Sequence, residues 1–148
     1  MTPPPLDIAV VGAGAAGLAT AIFAARRNRR LAIAALDGAK KPGAKILVSG
    51  GGRCNVTNTV VTPDDFRGGS RHVVRRILSA FPAGDAVRFF REIGVTLHEE
   101  ENGKLFPDSN SARTVLDALL SEARRCGVQL LNEHRVTALA RGFTLSPD

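Results

Sequence analysis

Residues 6–11 are apolar apart from Asp7 and rich in β-branched side chains, which predicts a parallel strand buried on both faces. Residues 15–28 are alanine-rich and periodic and predict a helix. A second apolar run at 31–36 closes a strand–helix–strand unit at Asp37. Residues 38–58 lack periodicity, carry scattered glycine and proline, and predict an extended functional loop. Farther on, Val73, Val74, Ile77 and Leu78 share one face of a helix over 71–80, with Ser70 as its cap. Pro82 separates it from a helix over 83–93, stopped by Gly94. Strands at 95–99 and 104–106 flank Asn102-Gly103, a hairpin signal. Ser109 or Asn110 then caps an amphipathic helix to about Arg125, with Gly127 just past its end. Strands are predicted at 128–131, 136–139 and 143–145. The sum is an α/β chain built on a Rossmann-like parallel sheet.

Composition narrows the class. Of 148 residues, 44% are hydrophobic and 23% charged, a globular profile. No apolar run approaches the ~20 residues that cross a bilayer, so no membrane partner is expected. Met1-Thr2-Pro3-Pro4-Pro5 lacks the basic region of a secretion signal. Residues 1–5 read as a disordered tail and the address as cytoplasmic. Cys54 and Cys126 make neither a disulfide framework nor a metal motif, so no metal is expected. Cys54 reads as a structural loop residue rather than half of a dithiol. The net charge of +6 raises a nucleic-acid partner. Yet Arg26, Arg27, Arg29 and Arg30 gather at the end of the first helix, where they complement its dipole, and the chain has no Trp or Tyr to stack on bases. His72, His98 and His134 have no triad or metal spacing, and no catalytic residue is assigned.

The chemistry lies in two glycine clusters. Gly12-Ala13-Gly14-Ala15-Ala16-Gly17 sits between the first strand and the first helix. In that position Gly12 permits the tight turn, Gly14 lets backbone N–H groups approach a pyrophosphate, and Gly17 lets helix pack on strand. The helix start presents unpaired amides and positive dipole to the phosphates. Asp37, at the end of the next strand, is placed to accept from ribose hydroxyls. Its charge disfavours a 2′-phosphate, leaving FAD or NAD at this site.

The second cluster, Ser49-Gly50-Gly51-Gly52-Arg53-Cys54-Asn55, lies in the stretch from Gly43 through Lys45 to Asn58. That stretch resembles the signature of the BaiN/RdsA-like, or aminoacetone-oxidase-like, bacterial flavoprotein oxidoreductases. The similarity extends to Phe89-Phe90-Arg91-Glu92-Ile93-Gly94-Val95, to Asn102-Gly103-Lys104-Leu105-Phe106-Pro107 and to residues 111–119. The resemblance implies FAD as cofactor, NAD(P)H as a candidate electron donor, and a loop at 49–55 that lines the flavin. Lys45 and Arg53 would offset its charge; Ser49, Cys54 and Asn55 would border it. Residues 127–139 resemble the third strand and following meander of FAD domains, which would put the backbone near Val136 against adenine.

Members of that family are more than twice as long as this chain, so the resemblance implies an N-terminal portion. The expected division is a tail at 1–5, a truncated FAD-binding domain at 6–60 and 108–148, and an inserted helix and hairpin region at 61–107. An open sheet edge would leave the isolated chain marginally stable or self-associating, with weak FAD binding. The implied activity is oxidation or reduction of a small organic substrate by hydride transfer through flavin, reaction direction and oligomeric state unassigned. Two alternatives stand beside it: a non-catalytic FAD- or NAD-binding fragment, and an RNA-modifying flavoprotein motivated by the basic excess.

Overall fold

The computed structural model describes residues 5–140, which divide into two compact units. One carries the chain up to Ile46 and from Leu116 onward; the other is Leu47–Val115. The glycine-rich segment 49–55 therefore groups with the hairpin rather than with the parallel sheet.

In the first unit, β1 (Ile8–Val11), β2 (Ile33–Asp37) and β6 (Gln129–Asn132) form a parallel sheet with β2 in the middle. Val10 lies beside Ala35, and Leu36 beside Leu131. Ile33, Ala34, Ala35 and Leu36 are all buried, as a central strand covered on both faces requires. Helix α1 (Ala15–Arg27) buries Leu18, Ala21, Ile22 and Ala25, the i, i+3, i+4, i+7 stripe of a packed helix. β1 pairs with β2 alone among the described residues, and Val11 at its end is exposed.

A charged clamp ties α1 to α5 (Ala112–Arg125). Glu122, only 6% exposed, accepts from Arg26 Nε at 2.8 Å and from Arg125 Nε and Nη2 at 2.6 and 2.7 Å. The hydrogen bonds from Arg125, and then Arg26, outweigh burial and lower its pKa from 4.5 to about 2. A depressed carboxylate stabilises the fold above its unfolded pKa and loses that contribution as pH falls through the folded value. Acid melts should therefore lose roughly 2–3 kcal/mol between about pH 5 and pH 2. The Glu122→Gln variant should start less stable and show a flatter acid limb; identical pH profiles would refute the clamp.

In the second unit, an antiparallel sheet of order β3-β5-β4 is built from Thr57–Asn58, Lys104–Pro107 and Leu97–Glu100, with α3 (Arg71–Ala80) and α4 (Ala83–Glu92) between β3 and β4 in the chain. Phe89, Val95, Leu105 and Phe106 are buried there. The hairpin turns at Asn102, whose φ of 65° is the left-handed conformation that asparagine tolerates. No helix among the described residues is long and apolar enough to cross a membrane.

Four expectations change. The loop at 38–58 contains α2 (Ala44–Val48), a 3₁₀ turn at Ser49–Gly52 and β3. These elements are too short to show a periodicity. Helix α5 starts at Ala112 rather than directly after Ser109 or Asn110, because Asn110 takes a left-handed φ of 52° and Ser109 Oγ donates to Thr114 Oγ1. Ser70 precedes α3 but makes no side-chain cap. Residues 136–139 form no strand. The chain turns at Glu133 (φ 58°), and the amides of Glu133 and His134 donate to Ala39 and Asp37 carbonyls instead of to a sheet. The strand expected at 143–145 and the tail before residue 5 lie outside the described residues.

Candidate functional site

The first glycine cluster sits where β1 hands over to α1, at the carboxyl end of the parallel sheet, and its three glycines have three different causes. Gly12 has φ +98°, a turn that L side chains rarely adopt, and its N–H donates to Leu36 O at 2.7 Å. At Gly17 a Cβ would lie 1.8 Å from Gly12 O, so helix and turn approach only without one. Gly14 is different. Its φ of −82° and ψ of −171° suit any residue, and a Cβ there would meet nothing within 4 Å. Neither strain nor internal packing asks for glycine at that position.

Helix α1 begins directly after Gly14, with no side-chain cap and no acidic residue in its first turn. The N–H groups of Ala15, Ala16 and Gly17 precede the first intrahelical bond, from Leu18 N to Gly14 O. A 13-residue helix thus offers its positive end with no acidic residue in its own first turn.

Asp37 closes the turn from the other side. Its Oδ2 accepts from Ala13 N and its Oδ1 from Ala39 N, both at 2.9 Å. Each oxygen keeps acceptor capacity for a further donor. Asp37 and Gly12 also line a cavity of about 360 Å³, together with Gly38, His134, Arg135 and Val136. Gly38 makes room for Arg135, since a Cβ on it would sit 3.3 Å from that of Arg135. His134 Nδ1 lies 2.7 Å from Asn132 O and, facing a carbonyl, is the donor of that hydrogen bond. Gly12 to Gly17, Asp37 and Val136 are therefore gathered in one unit. His134 and Arg135, given no role from the sequence, join them. The available signal was position, two and three residues past a parallel strand, at the strand ends where such sheets bind ligands.

The second cluster is ordered by its own unit. Gly50, Gly51 and Gly52 all take left-handed φ values, 55°, 67° and 86°. A Cβ on Gly50 would lie 2.7 Å from Asn55 N and 3.0 Å from the Phe106 ring. Cys54, also left-handed at φ 64°, is buried and its N–H donates to Ser49 O. Asn55 Nδ2 donates to Asn58 Oδ1 at 3.3 Å, and Lys45 is exposed on α2 in the first unit. Arg53 Nη1 donates to Glu100 Oε1 at 2.5 Å, and its guanidinium lies 4.2 Å from the Phe106 centroid. That hydrogen bond, ahead of a smaller one from His98, holds the Glu100 carboxyl below its ordinary range. Both cysteines are free; burial, then a hydrogen bond to Glu122, pushes the Cys126 thiol up. No group of three potential metal ligands occurs among the described residues.

Comparison with known proteins gives concordant results. The HI0933-like protein Rossmann domain matches residues 6–145. The ribosomal RNA dihydrouridine synthase of Escherichia coli is 37% identical over 142 residues, 94% of this chain and 35% of that protein. The 3-dehydro-bile acid delta(4,6)-reductase of Clostridium scindens is 34% identical over 144 residues, 95% of this chain and 35% of that protein. The chain thus spans about a third of the length of these curated relatives. Among solved structures, the 3-ketosteroid-delta4-(5alpha)-dehydrogenase of Rhodococcus jostii superposes with a TM-score of 0.65 at 15% identity, over 91% of this chain and 39% of that one. The shared architecture is the Rossmann-like, parallel-sheet fold of FAD-binding domains.

Proposed function

This chain belongs to the HI0933-like family, the BaiN/RdsA-like flavoproteins, and we propose that it is the FAD-holding portion of a reductase acting on carbon–carbon double bonds conjugated to a carbonyl. The observation that carries FAD binding is Gly14, a glycine with no reason inside the protein, placed before the uncapped end of α1. A diphosphate there receives the first amides of the helix, and the helix dipole adds to their attraction.

The remaining parts fit the same group. Asp37 is anchored by Ala13 and Ala39, so its carboxylate is already oriented to accept from ribose hydroxyls. The cavity beside Val136 and His134 takes the adenine. Lys45 and the segment Ser49 to Asn55 line the flavin in this reading, on the strength of the motif they share with the family. When bound, FAD supplies hydride chemistry, and NAD(P)H is the proposed donor. The chain's own contribution is to bind and orient.

The substrate class follows from the relatives' names. Dihydrouridine arises by saturating a ring C=C conjugated to a carbonyl, and a delta(4,6)-reductase of a 3-oxo bile acid saturates C=C bonds conjugated likewise. A substrate carried on RNA is a second reading, supported by the net charge of +6 and by the E. coli relative.

The Asp37→Asn exchange tests the cofactor half. It replaces one acceptor with an amide N–H facing a backbone N–H and removes the charge from the ribose position. FAD affinity by calorimetry should fall on the order of 10–100-fold. Unchanged affinity would remove Asp37 from the site.

A further inference from the structure

Helix α3 in the second unit buries none of its residues, although its apolar side chains recur at the spacing of a packed face. We infer that this face docks on an anionic lipid surface, with the helix axis lying in the headgroup plane.

Segment 66–80 combines an uncovered apolar stripe with a concentration of positive charge. Val73 is 51% exposed and Ile77 62%, Val74 and Leu78 beside them are half-buried, and Phe66, before the helix, is 50% exposed. By contrast α4, the next helix, buries Phe89. Arg67, Arg71, Arg75 and Arg76 all fall in the segment, which contains no Asp or Glu. Arg71 pairs with Asp64 at 2.7 Å, whereas Arg67, Arg75 and Arg76 are exposed and form no ion pair among the described residues. Helical spacing sets Arg71 and Arg75 along one border of the stripe and Arg76 along the other, with His72 on the far side.

Stripe and charge together select the occupant. A nucleic acid would answer the arginines and leave Val73 and Ile77 in water. A second copy, packed face to face about a two-fold axis, would bring like charges together along both borders. A neutral bilayer would cover the apolar side chains and give the arginines nothing. Anionic headgroups over an acyl boundary answer both. The apolar side chains enter the boundary, and the arginine stems lie along it with their guanidiniums among the phosphates. Arg67, Arg75 and Arg76 have no partner that fixes their orientation, which suits a diffuse layer of charge better than a matched set of carboxylates. The lack of a spanning run does not oppose this mode, because a helix in the headgroup plane needs no crossing.

The test is sedimentation of the full chain with phosphatidylcholine vesicles, with and without phosphatidylglycerol. Binding should be at least about tenfold tighter with phosphatidylglycerol present and should weaken as salt rises. Ile77→Glu, and separately the Arg75→Glu/Arg76→Glu pair, should each weaken it at least about tenfold. The chain has no Trp, so single reporters read the orientation. Emission from Ile77→Trp should shift to the blue on binding, and emission from His72→Trp should not. All four positions are exposed, so circular dichroism melts matching wild type are expected and separate lost docking from lost fold. No sedimentation with either vesicle, equal binding to both, equal binding by wild type and the charge-reversed pair, or a blue shift at both reporters overturns the inference. So does a lipid-free dimer that Ile77→Glu dissociates, which would make a second copy the occupant. None of these readouts involves FAD, so the result stands apart from the cofactor reading.

Discussion

Replacing Gly14 with valine should weaken FAD binding by about two orders of magnitude while costing the fold no more than about 1 kcal/mol. The asymmetry follows from the local geometry. A Cβ at Gly14 meets no heavy atom within 4 Å beyond its chain neighbours, and the backbone there is extended, so valine is expected to be accommodated. Glycine is a fair residue before a helix, and valine a poorer one, which sets the small stability term. The same isopropyl group fills the space before the Ala15 and Ala16 amides. Losing one or two charge-assisted hydrogen bonds, at about 1.5–3 kcal/mol each, gives the loss of affinity. Thermal melts read the first quantity and calorimetric titration the second.

Gly17→Ala should do the reverse. Its Cβ would lie 1.8 Å from Gly12 O, a backbone atom of a turn that cannot rotate away. Either α1 lifts from β1 or the turn opens, and both disturb the buried stripe of Leu18, Ala21 and Ile22. A destabilisation of about 3 kcal/mol or more is expected, beyond the usual range for one added methyl because backbone is the obstacle. Any loss of FAD binding in this variant would track the loss of folded protein. An alanine variant that melts with wild type would mean that helix and turn are not in contact.

The pair also shows what the sequence reveals and what it withholds. The G-x-G-x-x-G spacing already assigns a tight turn to Gly12, a phosphate approach to Gly14 and helix packing to Gly17, and the structure adds the geometry: φ +98° at Gly12, open space at a Gly14 Cβ, and a Gly17 Cβ 1.8 Å from Gly12 O. β1, β2, α1 and Asp37 were legible because continuous apolar runs and an alanine-rich period leave few alternatives. Residues 136–139 carry strand-like residues too, yet their neighbours Glu133 and His134 bond to the turn after β2, a tertiary preference no local pattern encodes. His134 and Arg135 stayed hidden for a related reason. A lone histidine has no spacing to read, and its place beside Asp37 follows only from the parallel pairing of β2 with β6. The Gly50–Gly52 run advertised a ligand, and the structure adds an internal cause, three successive left-handed residues that pack the loop against Phe106.

The most direct test compares two coenzymes that share a flavin and differ in the adenylate half. FAD and FMN, titrated into the full chain by quenching of flavin fluorescence, separate a site that reads the dinucleotide from one that reads the ring alone. The turn at Gly12–Gly17 with Asp37 predicts saturable binding of one FAD and affinity for FMN at least about 100-fold weaker. Equal affinity for the two, or no saturation with FAD, would contradict it.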